Sequence, residues 1–191
     1  MTPEHSVKRV CVVGAESTGT TTLAQRLAAY YRTLWVPEYG REYSERLASE
    51  GVDLWHYGWH SEEFVHIARV QQEREDKMAA KANRVLICDT DALATAIWHE
   101  RYMGSRSEGV EALALARNYD LYLLTGCEIP FVQDGIRDGE SLREWMTHRF
   151  EEVLTEHRRH WLKLSGPIEQ RLVAATTSVD KLLASPDASR L

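Results

Sequence analysis

Short unbroken apolar runs alternate along this chain with longer stretches of helical character. The short runs occupy residues 8–13, 34–36, 85–88, 121–124 and 161–164. Continuous apolar character over so few residues predicts strands buried on both faces, as in a parallel sheet. Helices are predicted between and after them at residues 21–33, 42–49, 62–82, 92–102, 109–117, 142–157 and 168–183. Strand and helix in alternation require right-handed crossovers, which place helices on both faces of the sheet and ligands at the carboxyl ends of the strands. The expected fold is α/β, a three-layer sandwich around a five-stranded parallel sheet, and functional residues are expected just after the strands.

Composition narrows this further. At 191 residues, 43% of them hydrophobic, the chain suits one domain over residues 1–184, followed by a disordered tail, 185–191, that begins Ser185-Pro186-Asp187-Ala188-Ser189. A net charge of −6, with acids and bases intermixed, offers no basic face for a nucleic-acid polymer. No apolar stretch approaches the about 18–20 residues of a membrane span, and Met1-Thr2-Pro3-Glu4-His5 does not resemble a signal peptide, so a cytoplasmic protein without a membrane partner is expected. Cys11, Cys88 and Cys127 are odd in number and far apart, which predicts reduced packing residues. His56 and His60 have the i, i+4 spacing of a metal pair but lack a third ligand in sequence.

The first strand runs through Val10-Cys11-Val12-Val13 into Gly14-Ala15-Glu16-Ser17-Thr18-Gly19-Thr20-Thr21-Thr22, and a helix-forming stretch follows. Two glycines with four residues between them, set between a strand and a helix, make a phosphate-binding loop whose grip comes from backbone N–H groups and the helix N-terminus. Thr20 stands where this pattern carries lysine, and no lysine occurs between Lys8 and Lys77 to replace it. Thr21 keeps the hydroxyl that ligates Mg2+.

Chemistry-bearing residues follow the other strands. After the second, Glu38 could take a proton from an attacking hydroxyl, Arg41 could meet a phosphate, and Tyr39 could stack on a planar ring. The third closes on Asp89-Thr90-Asp91, where Asp89 is placed to hold Mg2+ or to cap a helix, and Asp91 follows two residues on. The fourth leads to a glycine-containing segment, residues 130–139, suited to a lid that carries Arg137 to the transferring phosphate. Arg137 is the preferred replacement for the missing lysine; Arg143 and Arg149 are weaker candidates, since arginines on a helix this charged are usually a solvated face. After the fifth, Ser165-Gly166-Pro167 suits contact with the base, with Arg171 one turn beyond. Trp55-His56-Tyr57-Gly58-Trp59-His60 could wall a pocket for a flat ring, with Gln71 or Gln72 hydrogen-bonding it, or could be core packing.

Gly14 to Leu23, Glu38-Tyr39-Gly40-Arg41-Glu42, Asp89-Thr90-Asp91, and Tyr119-Asp120-Leu121-Tyr122-Leu123-Leu124 through Asp134-Gly135-Ile136-Arg137 together resemble the nicotinamide riboside kinase domain of NadR-type proteins, in order over about residues 7–171. The resemblance implies a P-loop kinase that phosphorylates the 5′-hydroxyl of nicotinamide riboside with ATP and Mg2+. It further implies that Gly14 to Thr22 wrap the ATP phosphates, that Thr21 and Asp89 hold the metal, and that Glu38 and Asp91 contact the riboside, either being the base. Thr20 departs from the family pattern and leaves three readings open. They are an active kinase in which Arg137 or Arg41 supplies the charge, a nucleotide-binding pseudokinase or regulatory module, and a kinase of another nucleoside or small hydroxyl acceptor. ATP and a nucleoside are the expected small-molecule partners; the oligomeric state is open, a homo-oligomer included.

Overall fold

Every predicted apolar run becomes a strand. In the computed structural model, which describes residues 7–132 and 140–185, β1 (Lys8–Gly14), β2 (Trp35–Val36), β3 (Val85–Asp89), β4 (Leu121–Thr125) and β5 (Trp161–Leu164) form one parallel sheet in the order β2-β3-β1-β4-β5. The connecting helices are α1 (Thr20–Tyr31), α2 (Tyr39–Ser49), α3 (Ser61–Ala79), α4 (Ala92–Met103), α5 (Glu108–Leu115), α6 (Arg143–Glu156) and α7 (Ile168–Ala184).

Strand geometry divides the core in two. Successive side chains point to opposite faces, so Cys11, Val13, Leu86, Cys88, Tyr122 and Leu124 pack beneath α3 to α6. Val10, Val12, Val85, Ile87, Leu121 and Leu123 pack instead against Leu23 and Leu27 of α1 and Ala175 and Val179 of α7. This two-sided burial is why the central strands read as unbroken apolar runs. Truncating a fully buried leucine such as Leu23 to alanine removes packing worth about 2–5 kcal/mol.

The same arrangement opens the site. The chain leaves β1 into α1 in one layer, and leaves the neighbouring β3 into α4 in the other. The carboxyl ends of these two strands therefore border a crevice, the expected ligand position in an open α/β sheet.

Some boundaries differ from expectation. α2 begins at Tyr39 rather than residue 42, because Glu38, extended at φ −63° and ψ 113°, already serves as its N-cap. α3 ends at Ala79 rather than residue 82, and Arg84, at φ 63°, turns the chain into β3. Cys11 and Cys88 sit opposite each other in the sheet, buried and unpaired by any disulfide, as their apolar runs predict. His56 bonds Asp53, while His60 forms a capping box with Glu63 at the start of α3. Among the described residues no group of three or more His, Cys, Asp or Glu could hold a metal, and no helix is long and apolar enough to cross a membrane. Residues 186–191 of the expected tail lie outside the described residues.

One buried acid falls in the first layer. Glu75 of α3 is 0% exposed, accepts the Tyr119 hydroxyl at 2.7 Å, and lies 3.5 and 3.4 Å from the Arg9 and Arg117 guanidiniums. Burial pushes its carboxyl up to about 7, while Tyr119 and the arginines pull the other way. A folded-state pKa raised above the unfolded value means that the folded state holds the extra proton between about pH 4.5 and 7, so stability falls as pH rises through that window. Unfolding by urea at pH 5, 6, 7 and 8 is expected to show this decline, to which Glu75 contributes of order 3 kcal/mol at most, and Glu75→Gln is expected to make it shallower.

Candidate functional site

The loop after β1 is held by close packing. A Cβ at Gly14 would overlap Thr125 Oγ1 and lie 2.6 Å from Thr18 Oγ1, so only glycine fits. Thr18 is turned inward, donating to Ala15 O at 2.7 Å and sharing a 2.7 Å hydrogen bond with Thr125. Ser17 and Gly19 then take positive φ, 56° and 83°, which swings the chain into α1. No side chain caps that helix and no acid occupies its first turn. Its orphan N–H groups and the positive end of its dipole are thereby left for an anion.

Asp89 ends β3 beside this loop. It is 1% exposed; Oδ2 accepts the Thr21 hydroxyl at 2.6 Å, and Oδ1 is buried with no hydrogen-bond partner. Burial pushes its carboxyl up to about 6, against the pull of the Thr21 and Thr20 hydroxyls and the Arg41 charge. An orphaned carboxylate oxygen beside a hydroxyl is a hard oxygen donor set, which fits Mg2+ with part of its water shell retained. The next residue, Thr90, holds φ 64°, strained for a β-branched side chain, and donates its N–H to Val12 O at 2.9 Å.

A cleft open to solvent joins the loop to the second strand end and to a wall of rings. It is lined by Gly14 to Ser17, Thr20 and Thr21, by Glu38 and Arg41, and by the rings of Trp59, Phe64, Trp98 and Tyr102. Trp98 and Tyr102 are stacked at 23° with centroids 6.1 Å apart, and Trp59 lies 5.5 Å from Tyr102 and 5.3 Å from Phe64. Gln71 also lines the cleft. Its carbonyl accepts Tyr39 N–H at 2.9 Å, which leaves its buried amide nitrogen without a partner.

Several expected residues stand elsewhere. Asp91 is 0% exposed; one oxygen caps α4 through Ala94 N–H, the other accepts the Tyr122 hydroxyl at 2.7 Å, and it does not line the cleft. Its position is that of a structural cap, because both oxygens are already engaged. Thr22 and Ser165 are exposed and outside the cleft lining, as is Trp55, 57% exposed. Gln72 bonds Leu113 O instead. Arg171, expected near a base, is buried under the loop, where it donates to Thr18 O, Gly166 O and Gly126 O and pairs with Glu128. Arg143, expected on a solvated face, is likewise buried, whereas Arg149 pairs with Glu100 and Glu152. Arg137 lies outside the described residues. The start of its segment does not: Val132 N–H donates to Ser17 Oγ at 2.8 Å.

Sequence reasoning missed the α4 contribution. Arg101, its side chain 4% exposed, pairs with Glu16 of the loop at 3.2 Å and covers the rings of Trp98 and Tyr102 at 5.1 and 4.6 Å. The signal was available, since Trp98, Arg101 and Tyr102 have the i, i+3, i+4 spacing of one helix face.

A family model described as an AAA domain matches residues 9–171. The trifunctional NAD biosynthesis/regulator protein NadR of Escherichia coli (strain K12) is 29% identical over 161 residues, 83% of this chain but 38% of that protein's length. A crystal structure of NadR protein in complex with NR superposes with a TM-score of 0.71 at 25% identity, over 95% of this chain and 53% of the other. Thymidylate kinase from Ehrlichia chaffeensis shares the fold, with a TM-score of 0.62 at 11% identity, over 91% of this chain and 99% of the other.

The clash at Gly14 yields a direct test. Gly14→Ala is expected to weaken ATP binding at least tenfold by calorimetry and to lower the melting temperature, because the loop must move off Thr125 to admit one methyl group.

Proposed function

Because this chain belongs to the AAA domain family, we propose that it is an ATP-dependent nucleoside kinase, transferring the terminal phosphoryl group of ATP to the 5′-hydroxyl of nicotinamide riboside and giving nicotinamide mononucleotide. The observation that carries this reading is the one cleft that a phosphate-binding loop, Glu38 and an aromatic wall line together, with buried Asp89 and its unused oxygen bonded directly behind the lining residue Thr21. Likeness to NadR, including the structure in complex with NR, supports the choice of acceptor.

In this reading the loop amides and the α1 N-terminus hold the ATP phosphates, and Thr21 and Asp89 hold Mg2+. When bound, the cation neutralises phosphate charge. Glu38 takes the proton of the acceptor hydroxyl as its oxygen bonds to the terminal phosphorus and the bond to ADP breaks. Glu38 lines the cleft, and its side chain makes no capping hydrogen bond to the helix that follows it. Asp91, with both oxygens engaged, leaves Glu38 as the base. The nicotinamide ring carries a positive charge, and Trp59, Trp98 and Tyr102 offer the faces that attract such a ring, worth about 0.5–2 kcal/mol per desolvated contact. Arg41, whose charge is felt at Asp89, stands where it can meet the phosphates, although it also bonds Glu45 at 2.8 Å.

Thr20 favours a second reading, a nucleotide-binding pseudokinase, and one experiment separates the two. ADP release is measured with ATP, Mg2+ and the riboside, with the product identified by mass. Riboside-dependent product that disappears in Asp89→Ala is expected; ATP binding without product overturns the kinase. Two substitutions then test the assigned roles. Glu38→Gln is expected to lower kcat by about a hundredfold or more with ATP affinity retained. Trp98→Ala is expected to raise the riboside KM by about tenfold while kcat changes far less.

A further inference from the structure

Two guanidinium groups sit beneath the phosphate-binding loop and donate to consecutive carbonyls of it. Arg171 reaches Thr18 O at 2.7 Å, and Arg143 reaches Ser17 O at 3.3 Å as well as Ile129 O at 2.9 Å. They differ in one respect. The Arg171 charge is balanced by Glu128 at 2.7 Å, whereas among the described residues no carboxylate pairs with Arg143. Arg143 is 8% exposed, its Nε is buried without a partner, and Phe131 lies beneath its guanidinium at 5.8 Å.

A buried charge without a counterion is costly, and such charges are ordinarily paired. The acids at the loop have other partners: Glu16 is held by Arg101, and Asp89 accepts from Thr21. The anion that this region is built to receive is the polyphosphate of a nucleotide. A planar trans peptide relays charge to it, because carbonyl and N–H point in opposite directions. With Ser17 C=O and Thr18 C=O drawn onto the arginines, the N–H groups of Thr18 and Gly19 point away from them and are polarised toward greater positive charge.

We propose that Arg143, acting through the Ser17–Thr18 peptide, is the positioning residue that supplies the polyphosphate with the positive charge the lysine-free loop lacks. The inference rests on the nucleotide-binding reading of this cleft and goes beyond it by identifying the cation. Its contact with the loop spans 126 residues of sequence, from Arg143 back to Ser17.

Calorimetry with ATP and with adenosine tests it on wild type, Arg143→Gln, Arg143→Lys, and Thr20→Lys alone and combined with Arg143→Gln, each checked for folding by thermal melting. Arg143→Gln is expected to weaken ATP binding about tenfold to a hundredfold and adenosine binding less than twofold, because one charge acts on the phosphates alone. Arg143→Lys is expected to keep most of the ATP affinity. Thr20→Lys is expected to recover most of the loss in the Arg143→Gln background, and to gain at least several-fold less in the wild type. Equal loss in the Gln and Lys variants, or no recovery in a folded double variant, overturns the proposal. Should Arg143→Gln not fold, Arg143→Met, which keeps the apolar stem over Phe131, takes its place with the same expectations. Wild-type protein that binds no ATP overturns the nucleotide-site reading itself, whereas ATP binding undiminished in Arg143→Gln overturns this inference alone.

Discussion

The contact of Gly14 with Thr125 and Thr18 is the constraint on which the site depends. With no Cβ at Gly14, the end of β1 lies against the end of β4 closely enough for Thr18 to hydrogen-bond both Thr125 and Ala15 O. That bond turns Thr18 inward and leaves its carbonyl and that of Ser17 facing the protein, where Arg171 and Arg143 meet them. The left-handed residues on either side, Ser17 and Gly19, follow from the same curvature and deliver the chain into α1 with its N-terminus uncapped. Loop shape, helix start and buried cations are therefore one arrangement.

Burial sets the charge state of three acids in the core. Asp89, Asp91 and Glu75 are all within 1% of complete burial, and desolvation raises the carboxyl pKa in each. What distinguishes them is what faces their oxygens. Asp91 has both engaged and serves the start of α4; Glu75 and Asp89 each keep one buried oxygen without a hydrogen-bond partner, Glu75 beside the Arg9 and Arg117 guanidiniums and Asp89 beside only the Thr21 hydroxyl. An unsatisfied buried acceptor is expensive, and under the proposed function a divalent cation at Asp89 would remove that cost, linking cation binding to local stability at one carboxylate.

The cleft couples its two halves through α4. Trp98 and Tyr102 line the cleft, and Arg101, between them on the same helix, covers both rings while pairing with Glu16 of the loop. The aromatic wall and the loop are thereby tied by one guanidinium.

Much of this was legible from the chain itself. The five strands, the seven helices and the loop at Gly14 to Thr21 follow from local periodicity and turn chemistry, which depend on neighbours a few residues apart. Asp89 was legible for a related reason, since a strand that ends on an acid announces itself. Proximity between distant segments left no such trace. Asp91 carries the same chemistry as Asp89 two residues away, and only the packing of Tyr122 against it decides that it is a cap. Arg143 reads as a weaker candidate on a solvated helix face, and Arg171 as a residue near the base. Their burial beneath the loop is a consequence of how α6 and α7 return over the sheet. Local sequence determines which elements form and where a phosphate can bind; which charges face it depends on the distances between elements, and those exist only in the folded chain.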